Sequence, residues 1–140
     1  PLAAWVAIRA ELAWPPVVLG AAVLSWVAGF DIIYACQDVD FDRAAGLFSI
    51  PARLGVKNAL KVAAGCHAAT VALLFAVPLV FPPFGALYYA GTVAIAALLI
   101  YEHVLVRPDD LARVNLAFFH VNAVVSIGLF LIGSADLLFF

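Results

Sequence analysis

Four of the nine acidic residues crowd into one short stretch, as Asp31, Asp38, Asp40 and Asp42. The apolar runs on either side are almost free of charge. In an α-helix, residues advance by about 100° each. Asp31, Tyr34, Asp38 and Asp42 are spaced 3, 4 and 4, which predicts one stripe about 80° wide. Asp40 falls roughly opposite. Asp38 and Asp42 lie one turn apart, about 6 Å, and at an effective dielectric of about 20 they repel by about 2–3 kcal/mol. Repulsion of that size calls for a cation, a proton or a basic partner. Carboxylate oxygens with water suit a hard cation, and Mg²⁺ takes one or two carboxylates, waters and substrate phosphates. The stretch therefore reads as half of a Mg²⁺–diphosphate site. A solvated acidic loop at a membrane surface is the alternative.

The elements that position these residues are hydrophobic. The chain is 67% hydrophobic and 11% charged, with mean hydropathy +1.14. A soluble domain carries about 25% charged residues, so the chain reads as an integral membrane protein. A net charge of −2 gives no footing for nucleic acid. Cys36 and Cys66 form no paired motif and read as reduced packing residues. The expected fold is an all-α, multi-span transmembrane helical bundle, with spans near 13–35, 58–81, 85–105 and 113–135, each of about the 20 residues a bilayer requires. Pro15 and Pro16 suit the first turn of the first span. Asp31 and Asp38, costly in hydrocarbon, are expected to face a polar cavity.

Residues 39–56 read as a polar connection. Arg43, Arg53, Lys57 and Lys61 lie in or beside it, and Arg107 and Arg113 lie in a loop on the same side of four spans. This bias places the acidic stretch in the cytoplasm. Arg53 and Lys57 are candidates to neutralise a diphosphate oxygen, with membrane topology as the alternative reason for their charge. His67 reads as a satisfied interior histidine, because no second His or Cys stands at helical ligand spacing. Glu102 reads as surface-exposed. Asp109 and Asp110 read as acidic residues at a helix start. Asn115, Asn122 and Ser126 are spaced 7 and 4, which aligns them as cavity-lining candidates. Interhelical hydrogen bonds are the other reading of that stripe. Tyr88 and Tyr89 mark one membrane interface, and Asp136 lies near the opposite surface from the basic loops.

The run Asp31-x-x-Tyr34-x-x-Gln37-Asp38-x-x-x-Asp42, followed by Gly46-x-x-Ser49-Ile-Pro-Ala-Arg53-Leu-Gly55, resembles the second aspartate-rich motif of the UbiA superfamily of intramembrane prenyltransferases. The likeness is greatest to the 4-hydroxybenzoate polyprenyltransferase branch and its relatives in menaquinone synthesis. Phe48 departs from the pattern, which has a basic or polar residue before the serine. The family's first motif, N-D-x-x-D-x-x-x-D, does not occur in these 140 residues. The expectation is one partial domain over 1–140, the carboxy-terminal half of a nine-helix fold with about four complete spans, inactive alone. The resemblance implies Mg²⁺ held by Asp38 and Asp42 against a polyprenyl diphosphate, and prenyl transfer to an aromatic acid such as 4-hydroxybenzoate or a naphthoate. It places Asp31 as charge stabiliser or proton acceptor and Tyr34 as a cation-stabilising ring. The partners implied are the diphosphate, the aromatic acceptor and the lipid bilayer, and the expected location is the bacterial inner membrane. Rival readings are another acceptor branch of the superfamily, or a transporter using intramembrane carboxylates to couple ions or protons.

Overall fold

The structure is a computed structural model that describes residues 1–108, 111, 114 and 117–139. It is helical, with no strand among the described residues. A short helix α1 (Leu2–Arg9) ends at Ala10, whose φ of 54° turns the chain. Helix α2 (Trp14–Ala35) carries its two prolines in the first turn, where no backbone N–H is needed. A 3₁₀ turn (Cys36–Asp38) leads into α3 (Val39–Ala44). After a turn through Gly46 come α4 (Ile50–Leu54), α5 (Val56–Val80) and α6 (Ala86–Leu105). A π-helical turn (Ala117–Val121) precedes α7 (Asn122–Phe139).

Among the described residues, four segments are long and apolar enough to cross a membrane: Trp14–Ala44, Val56–Val80, Ala86–Leu105 and Phe119–Phe139. Leu24, Leu79, Ile100 and Phe130 are each exposed on them. In water such surfaces would be liabilities, whereas in a bilayer they face lipid. The first segment is one rod of 31 residues. At 1.5 Å per residue it is about 46 Å long, against a hydrocarbon core of about 30 Å. Its acidic end therefore reaches past the hydrocarbon when the other end is anchored at Trp14. The last span, expected at 113–135, extends to Phe139.

The expected polar connection at 39–56 is largely helical. The Ser49 hydroxyl accepts the Ala52 N–H at 3.2 Å and caps α4 rather than the following span. Gly55, with φ of 77°, then turns the chain into α5.

The helices pack in two buried clusters. Near the acidic end, Ile32, Ile33 and Cys36 of α2 meet Ala59 and Ala63 of α5. Deeper in the bundle, Ala22, Leu74, Ile95, Leu99 and Val125 pack together. Small residues set the spacing. A Cβ on Gly29 would collide with the His67 imidazole, and one on Gly91 would meet Ile132. Pro78 sits inside α5 rather than beyond it. It has no N–H to offer the Leu74 carbonyl one turn back. The Tyr88 hydroxyl of α6 donates to that carbonyl instead, at 3.2 Å. Tyr88, expected as an interface marker, is therefore buried. At the α5–α6 turn, the Asp136 carboxylate accepts the Gly85 N–H. Asp136 lies at the expected end of the bundle, but buried at 1% exposure.

Candidate active site

The end of α2 has two unlike faces. Gly29, Ile32, Ile33 and Cys36 are buried, the last three in the packed cluster shared with α5. Asp31, Tyr34, Gln37 and Asp38 are exposed. Packing of the first face fixes the rotation of the helix and so points the second away from α5.

Asp42 departs from the expected stripe. A 3₁₀ turn advances about 120° per residue instead of about 100°. The turn over Cys36–Asp38 therefore rotates everything after it relative to a continuous α-helix. Asp42 ends only 9% exposed, while Asp31 and Asp38 stay open. Its backbone carbonyl accepts the Leu47 N–H at 2.8 Å, which closes the turn after α3. Asp40 is exposed.

Arg43 and Arg53 each make a local contact. Arg43 Nε donates to the Ala52 carbonyl at 3.2 Å and ties α3 to α4. The Arg53 guanidinium lies 5.0 Å from the centre of the Phe48 ring, within cation–π range. Phe48, the departure from the family pattern, thus gives Arg53 a surface to lie on. Arg53, Lys57 and Lys61 are all exposed. Among the described residues, no three His, Cys, Asp or Glu side chains gather as a metal cage. Asp31 and Asp38 are open carboxylates at this end, whereas Asp42 is nearly buried; Mg²⁺ keeps waters and takes substrate phosphates, so one or two carboxylates would be enough to hold it.

The polar stripe of the last span divides. Asn122 accepts a hydrogen bond from Trp26 Nε1 at 2.9 Å, an interhelical bond. Ser126 lines a cavity of 320 Å³ shared with Leu19, Val23, Trp26 and Tyr88. Asn115 lies outside the described residues, as do Asp109, Asp110 and Arg113.

Spacing along the chain concealed one cluster. Glu102, expected at the surface, is 0% exposed, and neither carboxylate oxygen has a hydrogen-bond partner among the described residues. Its Oε2 lies 3.6 Å from His67 Nδ1. The same nitrogen is 3.0 Å from His103 Nε2. His67 is interior as expected, at 2% exposure, but its partners come from α6. The separation of 36 residues hides the pair from any helical-spacing test. The usable signal was the presence of ionisable side chains inside an apolar span.

The described residues thus form a helical membrane bundle with exposed carboxylates at the end of one span. Residues 1–124 match the UbiA prenyltransferase family. The chain belongs to that family. It is similar to the 4-hydroxybenzoate octaprenyltransferase of Nitrosospira multiformis, 31% identical over 85% of this chain and 40% of the relative. It is likewise similar to the protein of the same name from Thiobacillus denitrificans, 35% identical over 84% of this chain and 38% of that relative. The chain thus spans about two fifths of the length of these relatives. No solved structure matches it with comparable significance.

Proposed function

We propose that the chain contributes the second acidic half of a Mg²⁺-dependent prenyltransferase of quinone biosynthesis. The reaction is transfer of a polyprenyl group from its diphosphate to an aromatic acid, of which 4-hydroxybenzoate is the first choice and a naphthoate the second. The observation that carries this reading is the family match over residues 1–124, which encloses the whole acidic segment. The names of the two relatives support the acceptor.

In this reading Asp38 and Asp42 hold the cation, and Arg53 and Lys57 meet the diphosphate oxygens. A Mg²⁺ ion held by these carboxylates would supply positive charge against the charge that grows on the departing diphosphate. The carbon–oxygen bond to the prenyl group breaks with its electron pair going to the diphosphate. Tyr34, exposed on the open face, presents its ring to the allylic cation. The acceptor ring carbon forms the new bond, and Asp31 takes the displaced ring proton. Fixed charges aimed at developing charge supply most of the transition-state stabilisation in such a site. The apolar spans give the isoprenoid tail a place in lipid while its diphosphate meets the polar end of α2. The basic residues Arg43, Arg53, Lys57 and Lys61 support a cytoplasmic orientation of that end in a bacterial inner membrane.

The test supplies membranes holding the full-length protein expressed from the intact gene with a polyprenyl diphosphate and a panel of aromatic acids, with and without Mg²⁺. Mass spectrometry then looks for prenylated product. A Mg²⁺-dependent product from 4-hydroxybenzoate supports the proposal and names the acceptor. No product from any acceptor, in membranes that contain folded protein, refutes it and directs attention to ion flux.

A further inference from the structure

Glu102 sits inside the bundle with no exposure, and neither of its carboxylate oxygens has a hydrogen-bond partner among the described residues. His67, on α5, is 2% exposed. Its Nδ1 lies 3.0 Å from Nε2 of His103 and 3.6 Å from Glu102 Oε2, both on α6. The Cδ2–Nε2 edge of the same ring rests against α2 at Gly29, and that Nε2 has no partner either. Three spans therefore meet at one imidazole. No cation stands beside it: Lys61 of α5 and Arg107 beyond α6 are exposed. On α2, Asp31 is turned to the open face, and Cys66 next to His67 is half-buried. The ion pairs of the described residues bring no other charged group to the cluster.

From this arrangement we infer that Glu102, His67 and His103 form a proton-binding site, which around neutral pH holds one proton beyond those of a carboxylate and two neutral imidazoles. Without that proton the cluster would carry one uncompensated negative charge inside the bundle. Such a charge is costly enough that the group holding it takes up a proton instead. The N–H between the two imidazoles does not serve Glu102, because 3.6 Å is too long for a hydrogen bond. One proton, on the carboxyl or on the imidazole facing it, makes the cluster electrically neutral. Groups this close titrate as a unit, so the proton belongs to the cluster rather than to one residue. In the unfolded chain at about pH 8 the carboxylate is ionised and both imidazoles are neutral. The folded state then binds one proton more than the unfolded state. Stability therefore falls as pH rises, by about tenfold in the unfolding constant per pH unit, until the folded cluster releases its proton as well. The proton thus helps clamp α5 and α6 onto α2. The site lies apart from the acidic segment of the transfer reaction, and its test does not depend on turnover.

The test uses the full-length protein in lipid nanodiscs, with carbon-13 in glutamate and nitrogen-15 in histidine. Solid-state NMR at about pH 7, filtered for the carbon–nitrogen contact between Glu102 and His67, reads the charge of both groups. The expected result is a protonated carboxyl, or an ionised carboxyl beside an imidazolium with both nitrogens protonated. An ionised carboxyl beside two neutral imidazoles overturns the inference, and this readout needs no variant. A second measurement follows unfolding in mixed micelles from about pH 7 to 9, for the unaltered protein and for Glu102→Gln, which has no carboxylate to titrate. The unaltered protein is expected to lose stability more steeply, by a difference approaching tenfold in the unfolding constant per pH unit. Parallel pH curves for the two folded proteins overturn the inference as well.

Discussion

The Tyr88 hydroxyl supplies the hydrogen bond that Pro78 withholds from the Leu74 carbonyl. A proline on one helix thus accounts for a buried tyrosine on the next. Tyr88→Phe leaves that buried carbonyl unpaired and is expected to lower stability by about 1 kcal/mol. Pro78→Ala restores an N–H one turn on and should recover most of the loss. Unfolding of the double variant in mixed micelles checks this. Losses that simply add would disconnect the two residues.

Asp38→Asn and Asp42→Asn each remove one carboxylate from the proposed cation site. Each is expected to lower kcat by about a hundredfold or more, the scale of losing one fixed electrostatic contact. Asp40→Asn, exposed and outside the proposed cation pair, is expected to change turnover less than about threefold, within the range of a surface substitution. Chelation by EDTA should abolish product, and added Mg²⁺ should restore it. Full activity in EDTA would remove the metal from the proposal.

Arg53 tests the diphosphate contact. Arg53→Ala is expected to raise KM for the prenyl diphosphate about tenfold, equivalent to about 1.4 kcal/mol. Phe48→Leu removes the ring under the guanidinium and should raise KM by a smaller factor, since an exposed cation–π contact contributes about 0.5–1 kcal/mol. Steady-state kinetics with varied diphosphate distinguish these. An unchanged KM in Arg53→Ala would leave this residue to topology alone.

Gly29→Ala places a methyl group against the His67 ring. The expected cost is about 1–3 kcal/mol of overpacking. His67→Ala in the same chain opens the space and should relieve much of it. Thermal denaturation of the single and double variants gives the coupling directly. No coupling would mean that the two helices part at little cost.

The acidic segment was legible because carboxylates in an apolar chain are rare and their spacing has a period. The same arithmetic failed at Asp42, since three residues of 3₁₀ helix rotate the residues beyond them and no side chain announces that change. The four spans were legible from length and hydropathy, but Glu102 was misplaced. Position near the end of a span suggests a surface, whereas its burial comes from His67 across the hairpin. Contacts between helices depend on how they rotate against each other, which a single chain's periodicity does not contain. Pro78 carried a signal that spacing alone passes over. A proline within a span always leaves a carbonyl one turn back, and a tyrosine soon after the turn was in reach of it.

In the proposed reaction, the helical segment from Trp14 to Ala44 would give the membrane itself a part. Its surplus over the hydrocarbon is about 16 Å, and Asp38, Asp40 and Asp42 fall in that surplus, whereas Asp31, about 26 Å from Trp14, does not. A thicker bilayer would draw them toward lipid, or force the helix upright, at a cost of fractions of a kcal/mol per Å. A thinner one would lift them from the prenyl chain they are to meet. Lipid chain length becomes a dial on the reaction, set by a helix that never changes its own length.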